Sequence, residues 1–224
     1  TNHKDMGTLY FLFGIWLGMI GSSSSSLIRL KFGQITSSMN NNQLYNDSVA
    51  THPAIVMIFM IVPPVMGGWW SSWIPMMMGG PEMYFPRENN ISFWLLPPSL
   101  MMMICWVVFY NGTGAGGDMY PLLSHNIAHN KVSQEMTMFF LHMAGVFSML
   151  GAIKIMCTIL KLMPNKMKVN QIPLFPWSIL ITGFFLILFL PVLAGGNTMM
   201  LMDRKLNMSL FELAGGGDPY LYQP

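Results

Sequence analysis

The chain has 224 residues, of which 53% are apolar and only 9% are charged. A typical soluble domain is roughly 25% charged, so this composition predicts a surface that largely faces a lipid bilayer. The formal net charge is +2 and no basic tract is present. Nucleic acid is therefore excluded as an expected partner, because its binding requires clustered Lys and Arg.

Five apolar stretches have the length of roughly 20 residues that crosses a bilayer. In chain order they lie at about 7–30, 48–78, 91–110, 136–163 and 175–202. In lipid every backbone polar group must be paired within the chain, which favours helices. We therefore predict an all-α fold, a polytopic transmembrane bundle of about five membrane helices forming one domain over residues 1–224.

The second stretch contains strong helix-perturbing residues. Pro63 and Pro64 are followed closely by Gly67 and Gly68. Proline removes a backbone donor and its ring collides with the carbonyl four residues earlier. A kink or partial break is expected there.

His52 precedes the most apolar part of the second stretch. A neutral imidazole on an apolar helix is a good haem-iron ligand. It can instead be a residue that hydrogen-bonds to a neighbouring helix. Spacing alone favours this second interpretation, because no other histidine stands at a metal-site spacing from His52.

Other polar groups inside or beside the stretches are also candidates, since they are costly in lipid. Lys154 lies in the middle of the fourth stretch, and we expect its amine to face protein on the side of the second or third helix. Arg29 closes the first stretch, either as an interfacial snorkel or as a donor to a cofactor. Glu82 lies at a membrane edge, either as a proton entry or as an isolated surface acid.

A series of longer motifs carries a resemblance to a known family. The segments, in order, are TNHKD at 1–5, FPR at 85–87, SFWLLPPSL at 92–100, NIAH at 126–129, LPVLAG at 190–195 and AGGGDP at 214–219. Through them the chain resembles, over its whole length, the catalytic subunit (subunit I) of haem-copper oxidases of the mitochondrial cytochrome c oxidase type.

The resemblance implies a twelve-helix subunit of the mitochondrial inner membrane, of which this sequence is the N-terminal part with the first five helices. The family oxidises cytochrome c, reduces oxygen and pumps protons, together with other oxidase subunits. His52 matches an axial ligand of haem a, Arg29 matches the arginine that binds its formyl group, and Tyr45 lies in the matching approach. The ligands of haem a3 and copper, and the second ligand of haem a, are expected beyond Pro224, so no oxygen-reducing site is expected here.

The resemblance also implies a proton path. Glu82 takes the position that usually holds Asp, while Asn89 and Tyr10 match residues lining the path. Phe147 replaces a path serine and Lys154 a path asparagine, which together predict an impaired path.

Three further departures stand out. Ser71 replaces a path asparagine, and Lys31 replaces a glutamate of a sodium or calcium site. Pro53, where the family has Ala, is expected to disfavour helical geometry at His52. The alternative prediction is therefore a helix bundle without haem, either non-catalytic or a decayed copy.

Overall fold

Most of the described residues lie in helices, whose backbone hydrogen bonds form within each helix. The computed structural model describes residues 2–33, 42–108, 112–113, 119–125, 132–164 and 167–222. Five of its helices are long and apolar enough to cross a membrane: α1 His3–Gly33, α2 Tyr45–Met78, α3 Pro86–Val107, α4 Val132–Lys161 and α5 Leu174–Leu206. The prediction of an all-α transmembrane bundle is confirmed.

Two of these helices are composite. In α2, two α-helical parts flank two π-helical parts: Asn42–Pro53, then Ala54–Ile61 and Pro63–Trp69 in π geometry, then Trp70–Met78. In α3, a turn at Leu95 separates Pro86–Trp94 from Leu96–Val108. Single helical turns complete the described residues: Pro121–Ser124, Val169–Gln171, Leu213–Gly215 and Pro219–Tyr222.

The prolines of α2 widen the helix and do not break it. The N–H of Val62 bonds to the carbonyl of Met57, and the N–H of Trp70 to that of Val65, five residues back in each case. Wider turns accommodate residues that lack a donor and crowd the preceding turn. The helix does not break at Pro63, and the expected perturbation takes the form of these wider turns.

The expectation that Pro53 disfavours helical geometry at His52 is wrong. The α-helix continues through His52 to Pro53, whose own φ and ψ are −65° and −33°. The restriction before proline is a preference, and pairing along the membrane helix overrides it. The widening begins directly after Pro53, so His52 keeps a helical position.

Glycines let α1 and α2 approach closely. A Cβ at Gly14 would lie 2.1 Å from Cγ of Pro64, and one at Gly21 would lie 2.7 Å from Cγ2 of Val56. From the opposite side, a Cβ at Gly67 would lie 2.4 Å from the Tyr10 ring. Small residues at such contacts are how membrane helices gain van der Waals packing.

Aromatic side chains fill the space that α1 to α4 share. Phe59 of α2 stacks on Phe140 of α4 with ring centroids 5.5 Å apart. Tyr10 meets Phe93 of α3 edge to face at 5.0 Å. The outward face of α5, by contrast, exposes large apolar side chains such as Phe189, which is compatible with a lipid environment.

Two glycine substitutions test the packing of α1 on α2. Gly14→Ala should destabilise the protein by about 1–3 kcal/mol, because a methyl group would overpack the contact with Pro64. Gly145→Ala is the matched control, since a Cβ there meets nothing within 4 Å and alanine favours the helix. The melting temperature of the detergent-solubilised protein measures both, and equal values would contradict the close contact.

Candidate functional site

His52 of α2 is turned toward α1. Its Nδ1 lies 2.9 Å from the carbonyl oxygen of Gly21 and 3.2 Å from Oγ of Ser24. The Ser24 hydroxyl donates to the same carbonyl at 2.7 Å. A carbonyl can only accept, so Nδ1 carries the hydrogen and donates it, and the lone pair of the neutral ring lies on Nε2.

The second nitrogen of this ring is available. Nε2 of His52 makes no hydrogen bond within the described residues, and the side chain is half-buried. A metal-binding histidine typically donates its other N–H to a carbonyl or carboxylate, which fixes the tautomer and the ring orientation. The arrangement of His52 on Gly21 therefore has the chemistry of a prepared iron ligand.

Arg29 and Tyr45 lie at the same end of α1 and α2. Tyr45 meets the Phe32 ring edge to face at 5.8 Å, and Nζ of Lys31 lies 3.7 Å from the centre of the Tyr45 ring. Arg29 is exposed. Among the described residues no hydrogen bond joins Arg29, Tyr45 and His52, so they share a region and not a direct contact.

A second polar group, the α1–α3–α4 cluster, consists of Tyr10, Asn89, Ser92 and Lys154. All four side chains are fully buried. The Lys154 amine donates to Oδ1 of Asn89 and lies 3.4 Å from Oγ of Ser92. The expectation that Lys154 faces protein toward the third helix is confirmed.

The hydroxyl groups of the cluster have a defined direction. Ser92 donates to the backbone carbonyl of Asn89 at 2.9 Å. Its oxygen lies 3.0 Å from the hydroxyl of Tyr10, which then acts as the donor. Ser92 was not singled out from the sequence, although the spacing between Asn89 and Ser92, one helical turn apart, places them on one face.

Among the residues that the structure describes, no Asp or Glu forms an ion pair with Lys154. The ion pairs of the described residues join Lys205 to Glu135 at 2.8 Å and His125 to Glu212 at 3.9 Å. The amine has instead neutral acceptors and the face of the Tyr10 ring, whose centre is 5.4 Å away. Lys154 lies about two turns before the end of α4 at Lys161, and its enclosure by protein keeps the amine out of lipid, where charged side chains are costly.

Some buried polar atoms of the described residues have no hydrogen-bond partner. Among the described residues, Nδ2 of Asn89 and Oγ of Ser71 are buried without a hydrogen bond. Buried polar groups of this kind are typical binding positions for ordered water. Phe147, in contrast, places an apolar ring 6.2 Å from that of Tyr10.

Glu82 is exposed on the link between α2 and α3. The backbone N–H of Tyr84 in this link donates to Oγ1 of Thr158 on α4 at 3.1 Å. Thr158 lies one turn beyond Lys154 and donates to its carbonyl. Within the described residues no hydrogen bond or ion pair connects Glu82 itself to the α1–α3–α4 cluster.

Comparison with known proteins identifies relatives along the whole chain. The family model described as "Cytochrome C and Quinol oxidase polypeptide I" matches residues 5–224. The chain is 41% identical to cytochrome c oxidase subunit 1 of Eremothecium gossypii and 39% identical to that of Debaryomyces hansenii. Each match covers 100% of this chain and 42% of the relative, so the chain spans less than half the length of these proteins.

A double-mutant cycle tests the hydrogen bond between Lys154 and Asn89. Asn89→Leu should destabilise the solubilised protein by about 1.5–3 kcal/mol, the usual contribution of a hydrogen bond to a charged group. In a Lys154→Met background the same change should cost clearly less, because no buried amine then loses its acceptor. Thermal melting of the four proteins measures the coupling.

The control for this cycle is Asn90→Ala on the same helix. Asn90 accepts only from the exposed Trp94 indole at 3.0 Å, so its loss should be nearly neutral. An equal cost of Asn89→Leu with and without Lys154 would contradict the interaction.

Proposed function

The chain belongs to the cytochrome c and quinol oxidase polypeptide I family, and from that membership we propose that it forms the N-terminal part of the catalytic subunit of a cytochrome c oxidase. The complete subunit would pass electrons from cytochrome c to oxygen and couple this reaction to proton pumping. In this proposal residues 1–224 form a single membrane domain and hold one ligand of haem a. The ligands of haem a3 and copper belong to other parts of the subunit.

One observation carries the proposal at the level of residues: the hydrogen bond from Nδ1 of His52 to the carbonyl of Gly21. It leaves Nε2 with its lone pair and with no other partner within the described residues. When bound there, haem a would supply one-electron transfer at a potential that its surroundings set. His52 would hold the iron, and the bond to Gly21 would fix the tautomer and the orientation of the imidazole ring.

Arg29 and Tyr45 have supporting roles in the proposal. Arg29 is exposed and makes no hydrogen bond within the described residues, so its guanidinium can donate to a polar substituent of the haem. Tyr45 is held by Phe32 and Lys31 at the entrance to the same region. Arg29 lies near the C-terminal end of α1, and Tyr45 lies near the N-terminal end of α2. His52 belongs to the same end of this helix pair.

The α1–α3–α4 cluster is proposed to correspond to the proton path of the family. Glu82 would be the entry, and Asn89 and Tyr10 would line the interior. The buried and unpartnered Nδ2 of Asn89 and Oγ of Ser71 support this assignment, since they can bind the water that such a path requires.

The environment of the protein follows from the same proposal. The five apolar helices would lie in the mitochondrial inner membrane, where the remaining oxidase subunits and lipid cover their exposed faces. Cytochrome c would be the electron donor to the assembled complex. The rival function is a helix bundle without haem, which differs from the proposal in its visible absorption.

The test is His52→Ala in the complete subunit. The low-spin haem a absorption should be lost and electron entry should fail, because alanine offers the iron no ligand. His142→Ala is the matched control: His142 is also half-buried in a membrane helix, where it bonds to the carbonyl of Met138 and to Thr198. Its loss should leave the haem a absorption in place.

Two outcomes would contradict the proposal. A His52→Ala enzyme that keeps the low-spin haem a absorption would remove His52 from the site. A purified wild-type complex without any haem a would favour the rival function.

A further inference from the structure

The amine of Lys154 occupies the centre of the α1–α3–α4 cluster. It donates to Oδ1 of Asn89 and approaches Oγ of Ser92, and the side chain is fully enclosed by protein. A lysine ammonium offers three donors and no acceptor. Of the ion pairs between described residues none includes Lys154.

Proton transfer along a chain of hydrogen bonds requires each group to accept a proton on one side and release one on the other. In this cluster the Ser92 hydroxyl already donates to the Asn89 carbonyl, and its oxygen faces both Tyr10 and Lys154. Oδ1 of Asn89 is occupied by Lys154. Lys154 therefore engages one acceptor site on Asn89 and approaches one on Ser92, and in its ammonium form it has no lone pair with which to accept a proton.

Charge acts in the same direction. While the Lys154 amine is protonated, it disfavours a second positive charge beside it, such as a proton on a neighbouring water molecule. Fixed cations exclude protons from membrane pores on this principle. Phe147 adds an apolar ring beside Tyr10, where a water chain would otherwise continue.

We propose that Lys154 closes the α1–α3–α4 cluster to protons. The assembled oxidase then takes up few or no protons through Glu82, and proton pumping that depends on this path is impaired. The inference rests on the proposed function, in which Glu82, Asn89 and Tyr10 belong to a proton path. Lys154 here is a built-in block, held in place by Asn89 and Ser92, and not a carrier.

The experiment uses the purified oxidase complex in phosphatidylcholine vesicles, with proton uptake measured during single turnovers. Lys154→Asn replaces the amine by a group that both donates and accepts. The rate of proton uptake should then rise about tenfold or more. Lys154→Arg keeps the charge and should keep the block. Lys161→Asn, at the exposed end of the same helix, should leave uptake as in the wild type.

A second variant shows whether the gain uses the proposed entry. Glu82→Gln combined with Lys154→Asn should cancel the gain, because an amide cannot titrate. A gain that survives Glu82→Gln would overturn the assignment of the block to this path. If Lys154→Asn fails to assemble, Lys154→Gln replaces it and the same results decide.

Loss of proton uptake in Lys154→Asn would show that Lys154 carries protons, and unchanged uptake would show that it does not control them; either result overturns the inference. The haem a absorption of each preparation separates this failure from failure of the proposed function. Haem a present with no gain in uptake contradicts the block alone. Haem a missing from the wild type contradicts the proposed function itself.

Discussion

The close contact between α1 and α2 sets the positions on which both candidate sites depend. Gly14 and Gly21 remove the side chains that would hold α2 away, and a Cβ at either would collide with it. At Gly21 the same closeness brings a backbone carbonyl within 2.9 Å of the His52 ring. Near the other end, the absence of a side chain at Gly67 lets the Tyr10 ring pack against α2. In this position the Tyr10 hydroxyl contacts Ser92.

Much of this architecture could be predicted from the sequence. Long apolar stretches in a chain with few charges require helices in lipid, and the five helices follow from that alone. The burial of Lys154 followed from the cost of a cation in lipid. Each helix begins before its apolar stretch, α1 at His3 for example, because hydropathy marks the lipid-facing core and not the interfacial turns.

Other features could not be predicted, for physical reasons. The π-helical parts of α2 depend on how the turns adjust around Pro53, Pro63 and Pro64, and propensities treat these residues only as breakers. The partner of His52 is a main-chain oxygen, which no side-chain pattern reveals. The role of Ser92 depends on which helix faces it, and spacing within α3 shows only that it shares a face with Asn89. The sequence left two roles open for each of Arg29 and Glu82, and the expectation for Tyr45 came from the resemblance alone.

The enclosure of Lys154 also bears on how the chain enters the membrane. Before α3 is in place, α4 would present the Lys154 amine to lipid without these acceptors, which is unfavourable for a charged side chain. Asn89 and Ser92, both on α3, supply the acceptors that relieve it. Insertion of α4 is therefore more favourable when α3 enters the membrane with it as a hairpin. One pair of neighbouring helices thereby favours a particular order of assembly.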